Sequence, residues 1–228
     1  MNILFVYSLN TGRSLPKPLE TQDEMQFGIS YISSFLKKHG HNTDLIVLTR
    51  KSEDSAIDTS VEKFRPGMIC FTAVTTEYMF IENIARRIKE KYPRIFLMIG
   101  GVHVSLNPEE AMLDTFDALC IGEGEAAALE LVDRLERNSG LSGIGNLWIK
   151  NGSKIEKSQL KPFLQDIDGL PFPDREMWQA WVSTTVSRQA ILLGRGCPYK
   201  CTYCCNHALS KLTTGSYVRF RSPDNILA

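Results

Sequence analysis

Short apolar runs separated by amphipathic stretches restrict the fold of this chain more than any other feature. The runs lie at residues 2–7, 45–48, 68–71, 95–99 and 118–121. They show little polar alternation, which is typical of strands buried on both faces of a parallel sheet. The stretches between them repeat apolar residues at helical spacing and predict covering helices. The pattern therefore predicts an α/β domain with a doubly wound, five-stranded parallel sheet, flavodoxin-like or Rossmann-like.

Residues 141–186 differ in character from the first 140. Two short segments flank Asn151-Gly152, a dipeptide that favours a hairpin turn. The two prolines of Leu170-Pro-Phe-Pro-Asp174 exclude a helix at that position. We therefore predict a linker that contains a hairpin. Another apolar strand is predicted at residues 189–193, directly before a cysteine-rich loop, and we expect residues 187–228 to be poorly ordered because no neighbouring strands are available to pair with them.

The cysteine-rich loop carries the strongest chemical motif of the chain. Cys197, Cys201 and Cys204 follow the spacing C-x3-C-x2-C, which presents three thiolates from one loop. A [4Fe–4S] cluster has four irons, so three thiolates leave one iron open to a small molecule. A zinc site is the alternative, with Cys205 or His207 as the fourth ligand. The spacing favours the cluster, because structural zinc sites usually combine paired C-x2-C units.

Charge and hydropathy exclude several classes of partner. The formal net charge is zero, so nothing draws the whole chain toward nucleic acid or an anionic membrane. No apolar stretch reaches membrane-spanning length, and the N-terminus lacks the features of a signal peptide. We therefore predict a cytoplasmic protein. Residues 177–223 contain no Asp or Glu but include Arg195, Arg219 and Arg221. This tract is interpreted either as a solvated basic surface or as a positive environment for an anionic cluster.

Glycines and hydroxyl residues follow the predicted strands, where open α/β sheets bind their ligands. Paired glycines allow a ligand to approach the backbone, and hydroxyls can hydrogen-bond a heterocycle or a phosphate. The dinucleotide-type sequence Gly122-x-Gly124-x-x-Ala127 is rejected, since it follows the fifth strand and Glu123 and Glu125 would face a pyrophosphate. The candidate ligand residues are Thr72, Thr75, Gly100, Gly101, His103, Ser105, Gly122 and Gly124.

The cysteine loop, Gly194-Arg-Gly-Cys197-Pro-Tyr-Lys-Cys201-Thr-Tyr-Cys204, resembles that of radical S-adenosylmethionine (radical SAM) enzymes. The resemblance implies that the open iron chelates SAM and that electron transfer cleaves SAM to a 5′-deoxyadenosyl radical. It also implies that Tyr203, the aromatic residue before the third cysteine, packs near the SAM adenine. A small-molecule substrate and an electron donor such as a flavodoxin or ferredoxin follow from the same resemblance.

The rest of the chain resembles the cobalamin-binding domain that precedes many radical SAM domains. The resemblance implies that the eight candidate residues bind cobalamin, with the nucleotide tail buried along the sheet end. Cobalamin carriers that ligate cobalt by histidine use D-x-H-x-x-G after the first strand, and this chain lacks that motif. We therefore expect no histidine ligation from that position. The matching segments are Gly28 to His41, Gly100-Gly-Val-His-Val-Ser105, Pro108-Glu-Glu, Ile121-Gly-Glu-Gly-Glu125 and Leu170-Pro-Phe-Pro-Asp174.

The two resemblances together predict three parts: a cobalamin-binding domain at 1–140, a linker at 141–186 and the truncated start of a radical SAM (β/α) barrel at 187–228. Methyl transfer is the leading reaction, although we expect this chain alone to be incomplete and inactive. The tRNA methylthiotransferases fit less well, since they carry three further cysteines and only Cys70 and Cys120 are available, both within apolar runs. The alternatives are a non-catalytic corrinoid-binding module and a zinc or iron–sulfur structural protein.

Overall fold

The computed structural model describes residues 1–9, 25–49, 54–112, 115–182 and 190–228. Within this part of the chain, no helix is long and apolar enough to cross a membrane. The strands are β1 (Asn2–Leu9), β2 (Asn42–Thr49), β3 (Met68–Thr72), β4 (Phe96–Gly100), β5 (Ala118–Cys120), β6 (Leu147–Asn151), β7 (Lys154–Lys157), β8 (Gly194–Arg195) and β9 (Arg219–Phe220). The helices are α1 (Phe27–Lys38), α2 (Asp54–Phe64), α3 (Thr75–Lys91), α4 (Val102–Leu106), α5 (Pro108–Ala111), α6 (Glu125–Glu136), α7 (Asn206–Leu209) and α8 (Pro223–Leu227).

The main sheet has the strand order β2-β1-β3-β4-β5-β6-β7. The pairs from β2 to β5 are all parallel. The order reverses at β1, because β2 lies on one side of it and β3 on the other. This reversal creates a crevice at the carboxyl ends of the strands, which is where such sheets bind ligands. The predicted α/β class and the five parallel strands are confirmed.

The prediction of a five-stranded sheet is wrong in its strand number, because the hairpin of β6 and β7 joins the sheet. β6 pairs antiparallel with β5, with Leu119 opposite Trp148, and β7 pairs with β6. β5 is short and buried, so without β6 it would leave unpaired backbone groups at the sheet edge. Gly152 supplies the positive φ of +61° that the hairpin turn requires. The prediction of a hairpin is therefore confirmed, but the sequence pattern did not indicate that the hairpin extends the main sheet.

Two apolar layers cover the sheet, one on each face. Helices α1 and α6 pack on one face, where Phe5, Leu36 and Leu131 are buried. Helices α2 and α3 cover the other face, with Ile69 and Ile81 in its core. Both layers form because the apolar runs are hydrophobic on successive residues and so present side chains to both sides.

Asp174 anchors the linker to helix α1. The buried Asp174 carboxylate accepts hydrogen bonds from Ser33 Oγ at 2.5 Å and from Lys37 Nζ at 2.8 Å. The backbone N–H of Asp174 donates to Ser30 O at 3.0 Å, and Trp178 Nε1 donates to Ser30 Oγ at 2.8 Å. Two serines of the Gly28–His41 segment therefore serve as hydrogen-bond partners of Asp174 and Trp178.

The C-terminal segment packs on the rest of the chain, in contrast to the expectation of poor order. β8 pairs antiparallel with β9, and the described residues 190–193 before them form no strand. Gln189, the first residue of the predicted strand, lies outside the described residues. The backbone N–H of Phe163 donates to Thr214 O at 2.9 Å, and that of Ser222 donates to Asp168 Oδ1 at 3.1 Å. The linker thus supplies the partners that the sequence pattern did not reveal.

We predict that Asp174→Ala lowers the free energy of unfolding by roughly 2–4 kcal/mol, because it removes a buried carboxylate that accepts several hydrogen bonds. Glu176→Ala is the matched control, since Glu176 is 81% exposed and lies 3.8 Å from the same Lys37 Nζ. An exposed pair of this kind contributes about 0–1 kcal/mol. Urea unfolding followed by circular dichroism measures both variants. Equal effects of the two substitutions would contradict the assigned role of Asp174.

Candidate functional site

A cleft of about 350 Å³ lies at the carboxyl ends of the parallel strands. Loops after β3, β4 and β5 form one wall, and residues of the C-terminal segment, including Arg195, Gly196 and Tyr217, form part of the other. The lining is mainly apolar with a few polar groups, which is the usual character of a small-molecule site. The position agrees with the crevice that the strand order creates.

Most of the predicted ligand residues meet at this cleft. The two that do not line it are Thr75 and His103. The described residues of the lining include no histidine. The roles of all eight residues as ligand contacts stay predictions. The residues that do line the cleft are Thr72, Gly100, Gly101, Ser105, Gly122 and Gly124.

The glycines of the cleft serve two different purposes. Gly101 has φ of +99°, and a Cβ placed there would lie 2.7 Å from Ala73 O and 2.8 Å from Thr72 Oγ1. Glycine at 101 is therefore required for the close approach of two loops. Gly122 also has a positive φ, of +79°, but no atom lies within 4 Å of the corresponding position. Its N–H donates to Ser105 Oγ at 3.0 Å, so the loop is held while the space beside it stays open.

His103 supports the loops behind the cleft. The centroid of its ring lies 4.3 Å from that of the Tyr78 ring, and Nδ1 lies 3.3 Å from Thr75 Oγ1. Nε2 is buried and has no hydrogen-bond partner among the described residues. Burial lowers the pKa of His103, although the charge of Glu110 opposes this shift. A neutral imidazole follows at pH 7, packed as part of the core on this side of the sheet.

The cysteine loop is largely exposed beside the cleft. Cys201 is exposed, Cys197 and Cys204 are half-buried, and Tyr203 is 91% exposed. The backbone N–H of Asn206 and its side-chain amide, 3.3 Å from Cys204 Sγ, lower the pKa of the Cys204 thiol. This arrangement stabilises a thiolate at Cys204, which is the form that binds metal.

The ligand atoms of the loop cysteines do not lie as close together as those of another cluster of potential metal ligands in the described structure. Tetrahedral zinc with Zn–S bonds of about 2.3 Å holds its thiolates about 3.8 Å apart. Among the described residues, His41, Asp133 and Glu136 are the one set of potential metal ligands whose atoms gather within 4.8 Å. That set lies near the chain start, where the Met1 ammonium contacts Glu136. Among the described residues, the loop cysteines do not form such a set.

Glu123 of the β5–α6 loop and Glu125, the first residue of α6, bind two arginines of the C-terminal segment. Arg195 contacts Glu125 and lies 3.0 Å from Glu123 Oε1, and Arg219 Nη1 lies 2.8 Å from the same oxygen. The carboxylates of Glu125 and Glu123 raise the pKa of Arg195 above its ordinary value, against the lowering effect of burial. Sequence reasoning missed these pairs. The available signal was charge complementarity between this loop and a basic tract that carries no acid.

A family model described as a B12 binding domain matches residues 21–132. A curated relative, an uncharacterized methyltransferase of Pyrococcus horikoshii, is 29% identical over 184 residues, which is 78% of this chain and 39% of the relative. The B12 match covers strands β2 to β5, and the C-x3-C-x2-C loop follows it in the chain. The chain therefore contains a B12-binding domain.

Two further proteins are similar to this chain, one in sequence and one in fold. The anaerobic magnesium-protoporphyrin IX monomethyl ester cyclase of Rubrivivax gelatinosus is 24% identical over 189 residues, covering 77% of this chain and 34% of the relative. The radical SAM methyltransferase TsrM of Kitasatospora setae, solved with cobalamin and a [4Fe–4S] cluster bound, has the same fold, with a TM-score of 0.66 at 15% identity. The match covers 99% of this chain and 44% of TsrM. The chain spans about two fifths or less of the length of these two curated relatives.

We predict that Gly101→Ala destabilises the fold far more than Gly122→Ala. Both positions have positive φ, which glycine adopts readily and alanine does not, so alanine is strained at each. At Gly101 the new methyl would also collide with the backbone of Ala73, whereas at Gly122 it would enter open space. Thermal unfolding of the two variants checks the difference. Similar melting temperatures would show that the two loops do not pack as closely as described.

Proposed function

We propose that this chain provides the cobalamin site and the cluster-binding loop of a cobalamin-dependent radical SAM methyltransferase. The adjacency of the cleft and the loop carries the proposal. Arg195 and Gly196, which directly precede Cys197, line the cleft. A ligand in the cleft and a metal centre on the loop would therefore be neighbours, as a reaction shared by two cofactors requires.

The cleft fits part of a cobalamin molecule. Its volume of about 350 Å³ suits the nucleotide tail better than the corrin macrocycle. Thr72 and Ser105 would offer hydroxyls to that tail, and Gly122 would allow it to approach the backbone. When bound, cobalamin supplies a cobalt centre that carries a methyl group from donor to acceptor. The chain lacks the D-x-H-x-x-G motif of histidine-ligating carriers, so no histidine of that motif would bind the cobalt.

The loop fits a cluster that leaves one iron open. Cys197, Cys201 and Cys204 would hold three irons, and the hydrogen bonds from Asn206 favour the thiolate at Cys204. When bound, the cluster supplies the electron that cleaves SAM, and a flavodoxin or ferredoxin would restore that electron. Tyr203 is exposed, so its ring is free to pack against the SAM adenine.

Methyl transfer is the reaction that the name of one relative favours, and the acceptor we propose is a small molecule. The Pyrococcus horikoshii relative is named a methyltransferase, and the Rubrivivax gelatinosus relative is named a cyclase, so ring closure is the second candidate. We also propose a reducing, cytoplasmic setting. All six cysteines are free in the structure, and a cluster on the loop requires its thiols to stay reduced.

We predict that the full chain binds hydroxocobalamin and that its reduced Co(II) form shows no nitrogen superhyperfine splitting from a protein histidine. The reason is that the chain lacks the D-x-H-x-x-G motif with which histidine-ligating carriers bind cobalt. Electron paramagnetic resonance checks the splitting, and His103→Ala is the control that should leave the spectrum unchanged. A splitting that disappears in His103→Ala would contradict the proposed cobalt environment. A folded chain that binds no corrinoid would refute the cobalamin site.

We predict that alanine at Cys197, Cys201 or Cys204 removes most of the iron bound after anaerobic reconstitution, whereas Cys205→Ala retains it. Cys205 is exposed like Cys201, so it is a matched control for accessibility. Iron and sulfide analysis together with visible absorption measures the loss. Iron loss in Cys205→Ala as severe as in Cys201→Ala would contradict the ligand assignment. Tight binding of zinc instead of iron would favour the structural-zinc alternative.

A further inference from the structure

We propose that Arg195 is a positioning residue that holds the cysteine loop against the rim of the cleft. It does so through an acid–arginine latch, which consists of Glu123, Glu125, Arg195 and Arg219. The inference rests on the proposed function for the identity of the two cofactor sites. The latch itself follows from contacts between side chains and does not depend on any cofactor.

The backbone around Arg195 directs its side chain to the glutamates. A Cβ at Gly194 would collide with Arg219 O, and a Cβ at Gly196 would collide with Tyr217 O. The backbone at both glycines therefore lies too close to the segment around β9 to leave room for a side chain. Arg195 lies opposite Arg219 in the β8–β9 pair, so the two side chains emerge on the same face and both reach Glu123. Arg195 reaches Glu123 and Glu125 on the opposite wall of the cleft.

The latch is too buried to behave as an ordinary surface ion pair. The side chains of Arg195, Glu123, Glu125 and Arg219 are 16%, 19%, 8% and 6% exposed. Salt screens such pairs weakly, and removing one partner leaves a charge without compensation in a dry environment. A guanidinium can bind two carboxylates at once, which an ammonium does less well. The geometry is therefore specific for arginine at position 195.

Two further contacts tie the latch to other segments of the chain. Tyr31 of α1 is buried, with the guanidinium carbons of Arg195 and Arg221 5.1 Å and 5.3 Å from its ring centroid. Glu123 Oε2 accepts the backbone N–H of Leu164 in the linker at 2.7 Å. The latch thus joins α1, the β5–α6 loop, the linker and the cysteine loop. Since the residue after Gly196 is Cys197, the position of the first cluster ligand depends on these contacts.

The latch also closes one side of the cleft. Glu123, Glu125, Arg195 and Arg219 all line it, so a ligand seated there would lie between walls that the latch holds together. Loss of the latch should let that ligand leave faster without slowing its entry. Most substitutions at an interface act in this way on the dissociation rate.

Hydrogen exchange of the full chain without cofactors tests the latch directly. The variants are Arg195→Gln, Arg195→Lys and Glu125→Gln, and the control is Arg137→Gln, whose pair with Asp133 is exposed. We expect Arg195→Gln and Glu125→Gln to raise exchange in residues 190–205 by about tenfold, a change of about 1.4 kcal/mol. Arg195→Lys should fall between the wild type and Arg195→Gln, and Arg137→Gln should match the wild type. Circular dichroism confirms that each variant is folded.

Stopped-flow release of hydroxocobalamin provides the second measurement. We expect Arg195→Gln to release it about tenfold faster with an unchanged association rate, and Arg195→Lys to restore part of the difference. Unchanged exchange in residues 190–205 of Arg195→Gln would overturn the latch. Unchanged release would overturn its role in closing the cleft. If the wild type binds no hydroxocobalamin, the proposed function fails, and the exchange measurement alone decides whether the latch exists.

Discussion

The buried ion pairs of Arg195 with Glu123 and Glu125 are the interaction through which the sheet and the cysteine loop meet. A guanidinium between two carboxylates is strong only where water is scarce, and the low exposure of all three side chains satisfies that condition. The pairs lie at the carboxyl end of the sheet, where strand order has already created a crevice. The ligand cleft, the cysteine loop and the charge network therefore occupy one end of the molecule.

The strand-end glycines show how a binding site and a packed core share the same residue type. Gly101 is needed because two loops touch, and Gly122 leaves open space beside a backbone that Ser105 holds in place. The buried thiols of Cys70 and Cys120 line the same cleft, and burial raises the pKa of Cys120 to about 12. A neutral buried thiol behaves as a small apolar side chain, and it is not a metal ligand because metals bind the thiolate. The reactive cysteines are confined to the exposed loop.

Prediction from sequence succeeded where the pattern of apolar residues along a short segment indicates which side chains are buried. Each of the five apolar runs in residues 1–140 became a strand of the parallel sheet, and Asn151-Gly152 became a hairpin turn, whereas the described residues 190–193 form no strand. It failed for the partner of that hairpin, since a turn signal carries no information about which sheet edge the strands will join. It also failed for the C-terminal segment, whose partners lie in the linker and include Phe163 and Asp168. The location of the cleft could be predicted, because parallel strands end at one edge of a sheet. The wall that the C-terminal segment contributes could not be predicted.

The order of strands and helices and the spacing of Cys197, Cys201 and Cys204 could be read from the chain, because periodicity and ligand spacing are properties of neighbouring residues. The charge network could not be read in this way. Glu123 and Arg195 are 72 residues apart, and each looks like an ordinary surface residue in its own segment. Folding brings them together and removes water from both. The free energy of a charge depends on the groups around it in space, so its partner and its role emerge only after the sheet, the linker and the loop have packed.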